Sequence, residues 1–326
     1  SVTMKLMPYI QIARPDHWFK NIFVLPGIVL VYFFERLPLD VQFAANVATG
    51  LVCACLVASS NYVLNEILDS AKDKFHPEKQ FRPIPSGQVK LPLAWLEWVL
   101  LAVAGLGLAF HLNWRFGAMA ALLWIAGCCY NIPPVRTKDM AYADVISESF
   151  NNPLRMAMGW YSTGFTELPP VSILLAYWMF GAFLMAMKRF AEYRRIADPA
   201  RAGQYRKSFA YYNEERLIES LFFYGALFGM FSGVFIARYH VELVLATPLV
   251  AFLIAYYMHL GFKPDSVVQK PEYLYHERKL VLLSVLAFLA CAFLLMTEIP
   301  GFQSLIEPTK VSPGAHHLIL TSGGNP

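Results

Sequence analysis

Residues 43–66 read FAANVATGLVCACLVASSNYVLNE, and this stretch decides the class of fold. It contains no charged side chain before Glu66. It is also longer than the roughly 20 apolar residues that a helix needs to cross a bilayer. We therefore expect residues 43–66 to form a helix that spans a membrane.

The same pattern recurs along the whole chain. Of the 326 residues, 57% are hydrophobic and only 15% are charged, and the mean hydropathy is +0.43. These values are outside the range of ordinary water-soluble domains. Apolar runs of suitable length predict an all-α, polytopic membrane protein with nine transmembrane helices, near residues 20–34, 43–66, 93–112, 115–132, 141–161, 170–188, 216–238, 242–261 and 279–298.

The lysines and arginines are distributed unevenly among the predicted connections. If the N-terminus is cytoplasmic, the opposite side carries only Arg36, Arg115, Arg238 and Lys310. Positively charged loops remain on the cytoplasmic side. We therefore expect a cytoplasmic N-terminus in a bacterial inner membrane.

Two of the cytoplasmic connections are long and rich in ionisable residues, at about 65–92 and 188–215. Functional residues concentrate on such connections. We expect residues 1–298 to form a single helical bundle around a central cavity open to the cytoplasm. The two connections would cap its active site, and residues 299–326 would form a C-terminal tail.

An acidic motif closes the second predicted span. Asn65, Asp69 and Asp73 follow one another at intervals of four residues, which places them on one face of a helix. Magnesium prefers oxygen ligands and is usually held by one or two carboxylates together with substrate phosphates. The motif thus predicts a Mg²⁺ site for a phosphorylated substrate. The alternative is a solvated helix end whose acids pair with Lys72 and Lys74.

Residues 76–87 read HPEKQFRPIPSG, and their prolines favour an extended path. Lys79 and Arg82 are then expected to lie over the acidic face, where both neutralise phosphate oxygens. The acidic motif followed by Arg82-Pro83-Ile84-Pro85-Ser86-Gly87 resembles the first signature of the UbiA superfamily of intramembrane transferases. Glu66 stands where that signature usually has Asp and keeps the carboxylate on a longer side chain. We therefore include Glu66 with Asn65, Asp69 and Asp73 among the expected metal ligands.

A second motif follows the sixth predicted span. UbiA-type prenyltransferases are expected to carry a second aspartate-rich motif there, whereas this chain has Lys188-Arg189-Phe190-Ala191-Glu192. Cations in place of carboxylates remove metal ligands and add direct anion binders, as a second phosphorylated substrate would require. The positive-inside rule alone would explain basic loop residues, but not charges that directly abut an apolar run.

Together with RPDHWFKN at residues 14–21, this second motif resembles the decaprenyl-phosphate phosphoribosyltransferase branch of the superfamily. Residues 130–138, YNIPPVRTK, look more like the corresponding loop of ordinary prenyltransferases.

The fifth predicted span contains Asp144, Glu148, Asn151, Asn152 and Arg155. Charges inside a bilayer are costly and need partners or water, so these side chains are expected to face a polar cavity. The alternative is a purely structural arrangement in which Glu148 pairs with Arg155, or Asp144 with Lys138.

The resemblance implies a Mg²⁺-dependent transferase that moves 5-phosphoribosyl from phosphoribosyl diphosphate to a polyprenyl phosphate, such as decaprenyl phosphate, and releases diphosphate. Asn65, Asp69 and Asp73 would form the catalytic, metal-binding set. No nucleic acid is expected as a partner, and homo-oligomerisation stays open. The residues expected to bind substrate are Arg14, Lys20, Asn21, Lys79, Arg82, Tyr130, Arg136, Lys138, Asp144, Glu148, Arg155, Lys188, Arg189 and Glu192.

Two rival functions remain at this point. A UbiA-type prenyltransferase would use the same metal motif to move an isoprenoid chain to an aromatic acceptor, with Asp144 or Glu148 assisting. A non-catalytic transporter or lipid-binding protein is the rival from another class. Transporters often show two related halves, and this sequence has no detectable internal repeat.

Overall fold

The computed structural model describes residues 6–74 and 79–307, and all regular structure in these ranges is helical. The expectations for His76 and Pro77, and those for the tail beyond residue 307, lie outside the described residues. The helices are α1 (Met7–Ile12), α2 (Leu25–Glu35), α3 (Val41–Asp73), α4 (Leu91–Leu112), α5 (Trp114–Asn131), α6 (Ala143–Ser149), α7 (Asn151–Ser162), α8 (Val171–Ile196), α9 (Pro199–Tyr205), α10 (Glu214–Tyr239), α11 (Thr247–Phe262), α12 (Arg278–Leu295) and α13 (Phe302–Ile306).

Seven helical stretches within the described ranges are long and apolar enough to cross a membrane. They are Met7–Glu35, Val41–Asp73, Leu91–Leu112, Val171–Ile196, Glu214–Tyr239, Val241–Phe262 and Arg278–Leu295. The first includes a 3-10 helix, Pro15–Val24, before α2, which has a proline in its first turn. The other two predicted spans correspond to α5 and to the pair α6 and α7, so the count of nine stays a prediction.

The predicted span at 141–161 is broken into α6 and α7 at Phe150. Pro153 has no N–H to donate to the carbonyl of Ser149, and its ring crowds that carbonyl. A hydropathy pattern alone does not register this interruption. α7 is nevertheless the most enclosed helix near the site, because every residue from Pro153 to Ser162 is buried.

α2 and α7 meet backbone to backbone. A Cβ atom on Gly27 would lie 1.9 Å from the Met156 carbonyl oxygen, and one on Gly159 would lie 1.9 Å from the Val24 carbonyl oxygen. Only glycine, which lacks a Cβ atom, permits so close an approach. This contact fixes the position of Asn21, just before α2, relative to Arg155 on α7.

Three apolar cores hold the described part of the bundle together. One joins α2, α3, α5 and α7, the second joins α6, α8, α10 and α11, and the smallest packs α1 and residues 84–89 against α3 and α4. The polar C-terminal ends of α3 and α8 leave these cores at the same end of the bundle, where both line one cavity with the connections 132–142 and 197–213.

Candidate active site

The acidic motif lies on the last two turns of α3, which continues without interruption to Asp73. Asp69 accepts hydrogen bonds from Arg136 Nη2 at 2.7 Å and from Lys138 Nζ at 2.8 Å. Asp73 accepts one from Arg82 Nη1 at 2.8 Å. The acids are therefore paired with cations of the neighbouring connections and not, as the alternative had it, with Lys72 and Lys74.

Lys138 is the most enclosed of these cations. Its Nζ donates to Asn65 Oδ1 at 2.8 Å, to both carboxylate oxygens of Asp69 at 2.8 and 2.9 Å, and to Asn131 Oδ1 at 2.9 Å. Burial lowers the pKa of Lys138 to about 8, and the charges of Arg136 and Arg206 act in the same direction. We call Asn65 Oδ1, Asn131 Oδ1 and the Asp69 carboxylate the oxygen cradle.

The connection after α5 presents these two cations to α3. Arg136 has a positive φ of 25°, and its guanidinium also donates to the Asn131 carbonyl oxygen at 2.9 Å and to Asp139 at 3.0 Å. Lys138 follows in a 3-10 turn, Thr137–Asp139. The conformation of the connection therefore directs both side chains toward Asp69.

The Glu66 carboxylate contacts the 82–87 turn and Arg14 rather than the oxygen cradle. Its side chain is only 2% exposed, Oε1 accepts a hydrogen bond from the Ile84 N–H at 3.1 Å, and Oε2 lies 4.0 Å from Arg14. These contacts make Glu66 an anchor of the 82–87 turn, and its role as a metal ligand stays a prediction.

A second charged cluster surrounds Arg189 on α8. Its guanidinium donates to Asp144 at 3.0 Å, to Glu148 at 3.0 Å and to Glu192 at 3.5 Å, and its side chain is 2% exposed. A buried guanidinium needs such partners. This differs from the predicted role of Arg189 as a direct anion binder, because its donors already face carboxylates.

Asp144 connects this cluster to the connection after α9. It accepts hydrogen bonds from Tyr212 Oη at 2.7 Å and Ser208 Oγ at 3.2 Å, and it lies 3.5 Å from Arg206. The alternative pairing of Asp144 with Lys138 is therefore wrong. So is that of Glu148 with Arg155, because Glu148 contacts Arg189 and accepts a hydrogen bond from Tyr130 Oη at 3.0 Å.

Further inside the bundle, Arg155 Nε donates to Asn21 Oδ1 at 3.1 Å. Arg155 is 8% exposed, and within the described ranges it has no carboxylate within 4 Å. Lys188 is half-buried and likewise forms no ion pair within that distance in the part of the chain that the structure describes. Two of the predicted anion binders are thus cations without a direct acidic partner.

The ends of α3 and α8 enclose a cavity of about 630 Å³. Of the predicted site residues, it brings together Asp69, Asp73, Lys79, Arg136, Lys138 and Glu192. Eight lysines and arginines but only four carboxylates line it, so the cavity favours anions.

The UbiA prenyltransferase family model matches residues 23–277, which is most of the chain and includes both clusters. The chain belongs to the UbiA prenyltransferase family.

Several curated relatives of this UbiA family member carry activity names. The decaprenyl-phosphate phosphoribosyltransferase of Mycolicibacterium smegmatis is 32% identical over 188 residues, which cover 56% of each chain. That of Corynebacterium glutamicum is 31% identical over 193 residues, covering 56% of this chain and 54% of the relative. The protoheme IX farnesyltransferase of Pseudomonas syringae is 31% identical over 124 residues, covering 38% and 39%. The chain therefore spans about half the length of the first two relatives.

Solved UbiA structures share the fold. A UbiA homolog from Archaeoglobus fulgidus bound to DMAPP and Mg²⁺ superposes with a TM-score of 0.65 at 20% identity, covering 89% of this chain and 99% of that one. A digeranylgeranylglyceryl phosphate synthase superposes with a TM-score of 0.61 at 17% identity, covering 89% and 98%. The predicted UbiA-like helical bundle is confirmed. Because seven helical stretches of the described residues are apolar and long enough to cross a bilayer, this UbiA family member is an integral membrane protein.

The donors around Asp69 fit a divalent cation only in part. Within the described ranges, no group of three or more His, Cys, Asp or Glu side chains could hold a metal ion. The oxygen cradle nevertheless consists of oxygens alone and already surrounds a positive charge. Magnesium keeps several waters and needs few protein ligands when substrate phosphates complete its shell. The cradle, with Asp73 one turn on, therefore fits Mg²⁺ as an open site shared with a substrate.

Sequence reasoning missed several residues of this site. Asn131 contributes an oxygen to the cradle, and the α9 region contributes a wall of the cavity. The many basic residues between 188 and 215 indicated that wall in the sequence. Asn131, a single amide at the end of an apolar run, gave no such indication. The missed lining residues are Asp139, Arg195, Ile196, Arg201, Gln204, Tyr205, Arg206, Lys207 and Gln269.

Proposed function

We propose that the protein transfers 5-phosphoribosyl from phosphoribosyl diphosphate to a polyprenyl phosphate, with Mg²⁺, and releases diphosphate. The observation that carries the proposal is the charge pattern of the cavity, where the acidic row of α3 faces a wall of lysines and arginines. One diphosphate and a metal would occupy only part of such a wall. The excess of cations suits the further phosphate that phosphoribosyl diphosphate carries on its ribose. The two relatives named as decaprenyl-phosphate phosphoribosyltransferases support the same activity.

In this reaction the donor's diphosphate lies against α3. Asn65, Asp69 and Asp73 would hold Mg²⁺, which neutralises the departing diphosphate when it is bound. Arg82, Arg136 and Lys138 form hydrogen bonds with Asp69 or Asp73. Their side chains are therefore close enough to contact the oxygens of a diphosphate bound at these acids. Their positive charges stabilise the negative charge that grows on the leaving group.

The acceptor would approach from inside the bundle, where its isoprenoid chain remains among apolar helices. Arg155 and Lys188 lack a direct acidic partner in the described residues and would bind its phosphate, together with Lys20 and Asn21. A phosphate oxygen forms the new bond to C1 of the ribose while the bond from C1 to the diphosphate oxygen breaks. The electron pair of that bond leaves with the diphosphate. The acceptor phosphate is already ionised, so no strong general base is needed.

Arg189 is a positioning residue in this scheme. It holds Asp144, Glu148 and Glu192 at one end of the bundle, and Glu148 in turn accepts the hydrogen bond of Tyr130. The same Tyr130 and Glu148 pair would serve the rival reaction, in which an isoprenoid chain passes to an aromatic acceptor. We also propose that this end of the bundle is cytoplasmic in a bacterial inner membrane, because basic connections remain on that side.

The test is a product analysis with the full chain in nanodiscs. One reaction contains Mg²⁺, phosphoribosyl diphosphate and polyprenyl phosphate, and the other contains Mg²⁺, polyprenyl diphosphate and an aromatic acid. We expect a ribosylated lipid in the first reaction and no prenylated product in the second. Asp69→Asn should lower product formation on the order of 100-fold, whereas Arg115→Gln, at the start of α5 and outside the cavity, should leave it unchanged. A prenylated acid, with no ribosylated lipid, would establish the rival reaction instead.

A further inference from the structure

We propose that Lys138 is a built-in cation that occupies the oxygen cradle in the substrate-free protein, and that it competes with a divalent cation for this position. Asn131 then becomes a further oxygen ligand of that cation. The inference rests on the proposed metal dependence of the site, but it concerns binding and not the reaction.

The contacts of Lys138 Nζ are those of a small cation in an oxygen shell. Four oxygens from Asn65, Asp69 and Asn131 lie between 2.8 and 2.9 Å from the nitrogen. An ammonium has three protons to donate, so these four oxygens exceed its donors. The side chain is 7% exposed, and the position is shielded from bulk water.

The charges around the cradle make binding of a metal alone unfavourable. Asp69 is already neutralised by Lys138 and by Arg136, whose Nη2 lies 2.7 Å from Oδ1. A divalent cation entering the cradle would meet both positive charges at short range, and such repulsion is weakly screened in a buried site. A diphosphate that arrives with the metal brings enough negative charge to give both side chains new partners.

The cavity gives Lys138 somewhere to move. Lys138 and Arg136 line it beside Asp69 and Asp73, so an ammonium that leaves the cradle remains at the same cavity wall. Metal and diphosphate should therefore bind together far better than the metal alone. Without the Lys138 charge, the metal should bind tightly even when no diphosphate is present.

The experiment measures Mn²⁺ binding by electron paramagnetic resonance to the full chain in detergent, with no phosphate compound present. Lys138→Met should bind Mn²⁺ about tenfold more tightly than the wild type, because one of two nearby like charges is gone. Lys72→Met is the matched control. Lys72 lines the same cavity but is 60% exposed and lies 4.0 Å from Asp139, outside the cradle, so its removal should change affinity less than about twofold.

Two further measurements separate competition from a merely structural role. Mn²⁺ should raise the melting temperature of Lys138→Met but not that of the wild type. The added change Asn131→Leu should abolish the gained affinity. If Lys138→Met does not fold, Asn131→Asp in the wild-type background supplies the test, because an extra carboxylate should raise Mn²⁺ affinity about tenfold.

Equal Mn²⁺ affinity in the wild type and Lys138→Met, or an equal gain in Lys72→Met, would overturn the proposal. Where only Asn131→Asp folds, an unchanged affinity would overturn it. These results are independent of the product analysis. If the Mn²⁺ measurements show no competition, the protein can still transfer ribosyl groups. If the product analysis finds no ribosyl transfer, the competition between Lys138 and Mn²⁺ can still be measured.

Discussion

Glu66 and Asp69 lie three positions apart on α3, yet their surroundings assign them different roles. Glu66→Gln keeps an oxygen for the Ile84 N–H, so we expect near wild-type stability and transfer activity. Glu66→Ala leaves that N–H without a partner and should lower the free energy of unfolding by about 1–3 kcal/mol. Asp69→Asn should lower the transfer rate on the order of 100-fold. Thermal melts and product formation, measured on all three variants, check this division. If Glu66→Gln is stable but loses most of its activity, Glu66 binds the metal as well as the turn.

The pKa of Lys138 predicts how stability depends on pH. Burial lowers this pKa from 10.5 to about 8, so between these values the unfolded chain holds a proton that the folded chain has released. Stability rises with pH wherever the unfolded state binds more protons. The contribution of Lys138 should therefore become more favourable from about pH 8 upward. The melting temperature of the wild type minus that of Lys138→Met should therefore increase as the pH rises through this window. Parallel curves would contradict the assignment.

Single residues show where sequence reasoning stops. The four-residue spacing of Asn65, Asp69 and Asp73 was sufficient to place them on one face, because it follows from helix geometry alone. The partners of Arg189 were not predictable, since Asp144 lies 45 positions earlier and meets it only through the packing of α6 against α8. The basic pair Lys188-Arg189 predicted that Arg189 binds an anion. The fold instead brings three carboxylates to the Arg189 guanidinium.

At the scale of elements, Pro153 determines how α6 and α7 join. Pro153→Ala would allow an N–H to bond the Ser149 carbonyl and extend one helix through the break. We expect an unchanged or higher melting temperature, but a clear loss of transfer activity, because Asp144 and Glu148 would rotate away from Arg189. A combined measurement of stability and turnover tests this. Normal turnover in Pro153→Ala would show that the break does not position the cluster.

The segment from α9 to the start of α10 is held over the cavity by Asp144. Asp144→Asn breaks a buried ion pair with Arg189 and weakens the contact with Arg206, which should cost about 3 kcal/mol. Amide hydrogen exchange should accelerate chiefly between residues 199 and 213. Tyr212→Phe removes one hydrogen bond to the same carboxylate and should cost about 1 kcal/mol. Uniform acceleration across the bundle in Asp144→Asn would indicate global destabilisation instead.

The helices themselves differ in how well hydropathy predicts them. The long uniform runs of α4 and α12 were located within three residues at each end, because length and apolarity are all that a lipid-facing helix requires. The end of α3 lies seven residues beyond the predicted span, because its last turns are polar and lie outside the apolar run. The enclosed α7 is shielded by other helices and carries polar residues and a proline. Its boundaries are set by tertiary packing, which a local sequence pattern does not record.

For the whole molecule, the separation of charge is the property that sequence and structure share. Apolar helices form the body, and the lysines and arginines of three connections converge with the acids of α3 and α8 at one end. The sequence predicted the separation, because loop charges follow membrane orientation. The convergence on a single cavity depends on the bundle closing correctly, and it makes the site attractive to anions as a whole.

This convergence predicts a dependence of substrate capture on ionic strength. Attraction between the cavity and a diphosphate acts over several ångströms and is screened within about 8 Å at physiological salt. The KM for phosphoribosyl diphosphate should therefore rise several-fold between low and high salt, while kcat changes little. Arg201→Gln removes a cavity-lining charge outside the acidic row and should lower this salt dependence. Arg238→Gln, at the last turn of α10 and outside the cavity, is the control and should leave the dependence intact. If KM does not change with salt in any of the three proteins, the excess positive charge does not capture the substrate, and phosphoribosyl diphosphate loses its main physical support as the donor.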